Sequence, residues 1–384
     1  MDGLSKNYNR LLILTVFCQI LINSTNSKFQ YLGFNKFQYL LWGLMCLFFI
    51  FRLFVNGLPK YVLIRLCLFI IITIILLLLK DYTVLQLFIF VVYCLFLDNK
   101  EIVKDFFYAM SGAVIVVIPL SFAGIFPMYT PVNYLLAYGF NNPNTLGLII
   151  TLMYLSYYYV FDNINEYLFL GITILAMVIV KTQLGDNTAL IVIGLFYIVT
   201  HIKSEKFDKF IKGLTMGLPF ILCAVATFLS YFVENYNWTL KLSSFLTRRP
   251  EIWNQYYSIY SVHLIPQDVP LASLSNYGLY FYGSNLPLIY RGFDGAYSHD
   301  LLTQGIIVMV VILFIIAGFV FQLDSERDKK LISIVFVLLI FAFSESIFTV
   351  PFGSFANYLL ILSVRAVLCR PVISSTDISI KTNH

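Results

Sequence analysis

Two charged clusters stand out in a chain that is otherwise poor in charge. The first, Arg248-Arg249-Pro250-Glu251-Ile252-Trp253, sets two guanidinium groups side by side ahead of a tryptophan. A guanidinium is always charged and grips phosphate oxygens bidentately, so Arg248 and Arg249 suit a lipid diphosphate at a membrane surface. The same residues would equally serve as snorkelling anchors, with Trp253 in an aromatic belt. The second cluster, Arg291-Gly-Phe-Asp294-Gly-Ala-Tyr297-Ser-His299-Asp300, offers a further arginine and two groups able to act as a base towards a hydroxyl, Asp294 or His299. At helical spacing Tyr297 shares a face with Asp294 while His299 projects elsewhere. A loop that merely seats the following helix through hydrogen bonds would read the same way.

Two further features belong with these clusters. Glu345, in FAFSESIFTVP, falls inside an apolar run, where an unpaired carboxylate is costly; Arg248, Arg249 and Arg291 are available partners. Tyr138-Gly-Phe-Asn-Asn-Pro-Asn144-Thr-Leu-Gly147 opens another apolar run, with Asn144 suited to cap a helix and Gly147 to admit a close helix contact. Arg65 and Arg365 also lie within apolar runs.

The elements that must position these residues are membrane helices. Of 384 residues 60% are hydrophobic and 12% charged, and the mean hydropathy is +0.84, so the apolar surplus has no water-facing surface to occupy. That balance excludes a soluble enzyme, a disordered chain and a nucleic-acid binder. About twelve segments approach the length of a spanning helix. They are 8–24, 37–55, 61–79, 82–97, 107–126, 144–161, 167–181, 186–201, 213–233, 303–322, 331–349 and 355–370. Runs such as Leu68–Leu79 are apolar on every face, which a membrane barrel strand is not. The expectation is an all-α polytopic bundle over residues 1–384.

Charge orients the bundle. With the amino terminus inside, the cytoplasmic connections hold 15 Lys and Arg, among them Lys203, Lys206, Lys209 and Lys212, against the 4 outside lysines Lys28, Lys36, Lys80 and Lys181. Both termini are then cytoplasmic. The long connection 234–302, between the ninth and tenth spans, falls outside with both charged clusters. The first apolar run follows Lys6 and Arg10 but precedes Asn23-Ser24-Thr25-Asn26, with no small-residue cleavage site, and is expected to be retained. The six cysteines sit in or at the ends of apolar runs without a CxxC pair, as buried small hydrophobes would. There is no GxxxxGK[ST], HExxH or GxSxG, so any chemistry draws on energy carried by the substrate. No metal or cofactor is expected.

The order of these features resembles the O-antigen polymerase and O-antigen ligase superfamily of bacterial envelope glycosyltransferases, the Wzy-type proteins. The resemblance rests on Asn142-Pro-Asn-Thr-Leu-Gly147 at a helix start, Arg249 four residues before Trp253, Asp294 and Tyr297 ahead of Gly305, and the span with Ser344-Glu345-Ser346. It covers about 138–351; the first spans match in hydropathy alone. One departure is Gly185-Asp186-Asn187-Thr188, where such proteins often carry Ser-Arg before the eighth span.

The resemblance implies polymerisation of undecaprenyl-diphosphate-linked oligosaccharide units into O-antigen, capsule or exopolysaccharide on the outer face of the bacterial cytoplasmic membrane. In that scheme Arg249, Arg248 and Arg291 offset charge on the departing diphosphate. Asp294 or His299 is the base, while Trp253, Tyr297, Asn144 and Glu345 shape the substrate site. The implied partners are the lipid-linked oligosaccharide, the bilayer, and flippase and chain-length regulator proteins. Two rivals stay open: a ligase that moves a finished glycan onto an envelope acceptor, and a transporter or flippase. The absence of visible repeats and of broken helices at matched positions speaks against transport.

Overall fold

The computed structural model of the chain describes residues 2–25, 34–79, 83–130, 135–246, 248–269, 293–348 and 357–370. Among these residues the architecture is helical, with two isolated bridges, Thr25 to Phe140 and Tyr129 to Leu136, and no strand. The helices are α1 Asp2–Asn23, α2 Phe34–Asn56, α3 Lys60–Leu78, α4 Thr83–Cys94, α5 Asn99–Phe122, α6 Pro143–Val160, α7 Glu166–Val178 and α8 Asn187–His201. They continue with α9 Glu205–Phe232, α10 Asn237–Phe245, α11 Arg249–Ile259, α12 Ala296–Gln322, α13 Lys329–Ala342 and α14 Tyr358–Cys369.

A helix lies over each of the twelve apolar segments. Among the described residues, six stretches are long and apolar enough to cross a membrane: Lys36–Asn56, Lys60–Leu78, Asn99–Phe122, Glu166–Gln183, Glu205–Phe232 and Ala296–Gln322. Tyr8–Asn23, Val84–Cys94, Asn187–His201 and Tyr358–Cys369 are apolar but shorter. The outer surface is apolar as well, with Phe54 84% and Leu78 78% exposed. Helices that turn such side chains outward are those of a multi-pass membrane protein.

Local sequence explains where helices start. Asp98 and Glu101 close a capping box on α5, and Asn142 caps α6 with Pro143 in the first turn. Asn144, expected as that cap, lies instead inside the first turn, because Asn142 Oδ1 reaches the Thr145 amide at 2.9 Å first. Helix ends are closed by cations reaching over carbonyls. Lys330 donates to Tyr158 O at 3.1 Å, Lys329 to Ile202 O at 2.6 Å and Lys212 to Leu323 O at 2.5 Å. Arg65 likewise donates to Val367 O at 3.0 Å at the end of α14. Lys212, Lys329 and Lys330, counted in the sequence reading as cytoplasmic, therefore also satisfy helix ends.

Packing draws α12 against α9 and α14, α1 against α5, α5 against α6, and α13 against α8 and α9. α13 is the axis of the bundle: from Leu331 to Ala342 every residue but Ile340 is buried. Tyr8 and Tyr93 stack at 3.9 Å, each hydroxyl donates to the other's carbonyl, and Arg52 lies 4.2 Å above the Tyr8 ring, which ties α1, α2 and α4 together. The cysteines depart from expectation. All six are free thiols, but Cys46 and Cys67 face outward among apolar neighbours and only Cys94 is fully buried, because an apolar residue on a membrane helix need not be inside.

Two boundaries differ from the sequence reading near the charged clusters. α12 is broken at Gly305, where φ is +80° and ψ +170°: the part after the break matches the span expected from 303, and a helical stretch from Ala296 is added ahead of it. The polar residues of that stretch find partners inside the bundle, since Ser298 shares a 2.8 Å hydrogen bond with Ser230 of α9 and Tyr257 donates to Ser298 O at 2.9 Å. The span expected over 331–349 ends as a helix at Ala342. Glu345 thus lies beyond the helix in an irregular turn, its amide donating to Phe341 O at 2.9 Å.

Candidate functional site

α10 and α11 meet at Arg248, whose backbone is left-handed at φ +63°, an uncommon conformation for a residue with a side chain. This reversal, followed by Pro250 in the first turn of α11, sends consecutive arginines in opposite directions. The Arg248 side chain is 66% exposed and pairs with Glu251 at 2.6 Å. The Arg249 side chain is 8% exposed and turns into the protein, where Nη2 donates to Glu345 Oε1 at 2.5 Å and Nη1 to Thr188 Oγ1 at 3.3 Å. Three elements distant in sequence, α8, α11 and the turn after α13, thus converge on one guanidinium.

Two more carboxylates face it. Asp186 caps α8, accepting the Ala189 amide at 3.0 Å through Oδ1, while its buried Oδ2 has no hydrogen-bond partner among the described residues. Asp294, just ahead of α12, is close enough to feel the charge of Arg249. Removal from water raises the Asp294 carboxyl above its ordinary value, and the Arg249 guanidinium opposes the rise. Because Gly295 and not Asp294 bounds the helix, the expected helical spacing between Asp294 and Tyr297 does not apply.

His299 is buried, with Nδ1 2.7 Å from Asp300 Oδ1, and its ring lies 5.5 Å from Phe293, on which Tyr256 stacks at 4.4 Å. A carboxylate at Nδ1 fixes the ring and leaves Nε2 as the nitrogen able to take a proton.

Comparison of the chain with protein-family models, curated proteins and solved structures finds no match. The site's chemistry therefore stands on its own geometry.

The remaining site residues sort by where they sit. Trp253 is fully buried and donates from Nε1 to Asp294 O at 2.5 Å, so it holds the loop that carries Asp294. Gly295 completes that contact: its φ is +99°, and a Cβ there would lie 2.6 Å from Trp253 Cζ2 and 3.0 Å from Phe343 O. Tyr297 is also fully buried, donating to Leu339 O of α13 at 3.1 Å, which makes it an anchor between helices. Asn144 is half-buried in the turn of α6 that precedes Gly147, and a Cβ at Gly147 would fall 2.3 Å from Asp186 Oδ2. Arg291 lies outside the described residues. Among the described residues no three or more His, Cys, Asp or Glu side chains are grouped to hold a metal ion.

Sequence reasoning paired Glu345 with an arginine without deciding which, and it missed Asp186, Thr188 and Asp300. Gly185–Thr188 drew notice only for the arginine it lacks. The usable signal was the N-cap pattern at Asp186, which places a carboxylate at the mouth of α8.

Proposed function

We propose that the chain is a membrane glycosyltransferase that polymerises undecaprenyl-diphosphate-linked oligosaccharide units on the outer face of the bacterial cytoplasmic membrane. The proposed topology has twelve spans, both termini cytoplasmic and the 234–302 connection outside. The observation that carries the reading is Arg249: a buried, always-charged fork held by Glu345 and Thr188, with Asp294 facing it and the His299–Asp300 pair beside Asp294. Such a group stabilises charge as it develops on a departing diphosphate. An acceptor sugar hydroxyl gives its proton to Asp294 or His299 and attacks the anomeric carbon of the donor chain. The bond from that carbon to the diphosphate oxygen breaks, and undecaprenyl diphosphate leaves. Arg248, at the exposed edge, meets the substrate first, and exposed apolar helix faces receive the isoprenoid tail.

The His299–Asp300 pair favours a second reading, a ligase that passes a finished glycan to an envelope acceptor with His299 as base. The lipid-linked glycans that accumulate in a deletion strain separate the readings. Single units on the outer face support polymerisation, finished lipid-linked polymers support ligation, and single units retained inside would overturn both in favour of a flippase. Arg249→Ala and Arg249→Lys are both expected to abolish long chains. The alanine variant also strands Glu345, a loss of about 3–5 kcal/mol, so the lysine variant, which keeps a cation but not the fork, isolates the chemical role. Long chains at normal yield in Arg249→Ala would remove Arg249 from the mechanism.

A further inference from the structure

The Arg249 guanidinium faces more negative charge than it can neutralise. Glu345 pairs with it directly from the turn after α13, Asp186 faces it from the cap of α8, and Asp294 from the loop before α12. The other charged groups nearby are already engaged: His299 with Asp300, and Arg248 with Glu251 at the surface. One cation against three carboxylates leaves no room for a further anion unless some of that charge is removed, since an uncompensated charge in a buried site costs several kcal/mol. The proposed substrate brings a diphosphate.

We infer that the Glu345 carboxylate occupies the diphosphate's place on Arg249 between turnovers, and that lipid diphosphate displaces it with uptake of a proton by the carboxylates of the cluster. The inference rests on the reading of the site as a lipid-diphosphate site. Glu345 is placed for such an exchange. It stands beyond the last turn of α13, so its side chain is released without unwinding a helix, while its backbone carbonyl stays pinned by the Ala296 amide at 3.1 Å. Asp186 is placed to share the proton, because its buried Oδ2 has no hydrogen bond among the described residues to give up. The bonds that change are ionic and hydrogen bonds alone: Arg249 N–H donors move from Glu345 Oε1 to phosphate oxygens, and the proton comes from water.

The consequence is a defined pH dependence. Binding that takes up a proton tightens as pH falls and weakens as pH rises. The full chain in phosphatidylcholine nanodiscs is titrated calorimetrically with undecaprenyl diphosphate at about pH 8, in two buffers of different ionisation heat. The difference in heats counts the protons. The expected result is uptake of about one proton per diphosphate, with affinity falling by up to about tenfold per pH unit. Glu345→Gln, which keeps the shape but cannot neutralise Arg249, is expected to bind about tenfold tighter and to take up less. Saturable binding without proton uptake and with pH-independent affinity overturns the exchange while leaving the diphosphate site standing. No saturable binding by the unmodified protein overturns the site itself, and the exchange with it. Should Glu345→Gln not fold, the proton count and the pH slope of the unmodified protein still decide.

Discussion

Replacing Gly295 by alanine should move the loop that carries Asp294 without touching any charged residue. The new Cβ would lie 2.6 Å from Trp253 Cζ2, 3.1 Å from Cε2 and 3.0 Å from Phe343 O. The indole is fully buried and cannot swing into open space, and a backbone oxygen blocks the other side. Holding a residue with a side chain at φ +99° costs about 1–3 kcal/mol. Overpacking beside the ring adds about 1–3 kcal/mol. If the ring shifts, the Trp253 to Asp294 hydrogen bond goes too, for about 1 kcal/mol more. A total of about 3–7 kcal/mol is large against the margin by which proteins are folded. In detergent micelles the variant should therefore unfold well below the unmodified protein, followed by tryptophan emission. Under the proposed function it should also give shorter glycan chains in cells at matched protein level, because the loop carrying Asp294 shifts relative to Arg249. Gly171, exposed on α7 with nothing within 4 Å of a Cβ, is the control, and Gly171→Ala should be silent in both assays. An unchanged melting point together with unchanged chain length in Gly295→Ala would refute the link from Gly295 through Trp253 to Asp294.

Two further outcomes follow from the same geometry. At Gly305, where φ is +80°, a Cβ would meet the backbone of Ile265 at 2.7 Å. Gly305→Ala should thus free the 261–269 segment, read as faster protease cleavage there, and protection equal to that of the unmodified protein would sink the assignment. For pH, Asp294 must be ionised to act as a base, and burial holds its carboxyl above the ordinary value. Polymerisation rate should rise with pH through a limb lying above about 3.9, and Asp294→Asn should remove that limb. Survival of the limb in Asp294→Asn but not in His299→Ala assigns the base to His299 instead.

The fold was legible wherever hydrophobicity alone decides. Long apolar runs such as 61–79 are helical because no other backbone conformation satisfies its polar groups in hydrocarbon. The site was legible as a set of residue types: arginines, carboxylates and a histidine clustered outside the spans, with Glu345 in want of a cation. Its wiring was not. Which arginine turns inward depends on one left-handed residue, Arg248, whose type does not announce that conformation. The inward extension of α12 to Ala296 depends on Ser230 and Tyr257, residues of α9 and α11 that no local pattern near 296 reveals. Tyr297 and Trp253 read as substrate contacts by composition, yet tertiary packing spends their polar atoms on Leu339 O and Asp294 O. Asp186 was hidden because the cation whose charge acts on it, Arg249, lies in another helix and its close neighbour, Gly147, in a third.

The break at Gly305 in α12 has a consequence for how this region tolerates change. Ile306 and Ile307 donate to His263 O and Leu264 O at 3.0 and 3.1 Å, and the Gln267 amide donates to Thr303 O at 2.9 Å. The stretch is thus stitched to the helix largely through its main chain, with the Gln267 side chain, which donates to Leu302 O at 2.8 Å, as the exception. Main-chain recognition is indifferent to side-chain identity and strict about length. Divergent versions of this chain could vary freely at 263 and 264, whereas inserting or deleting one residue there would slide the register and strip two helix donors of their acceptors at once.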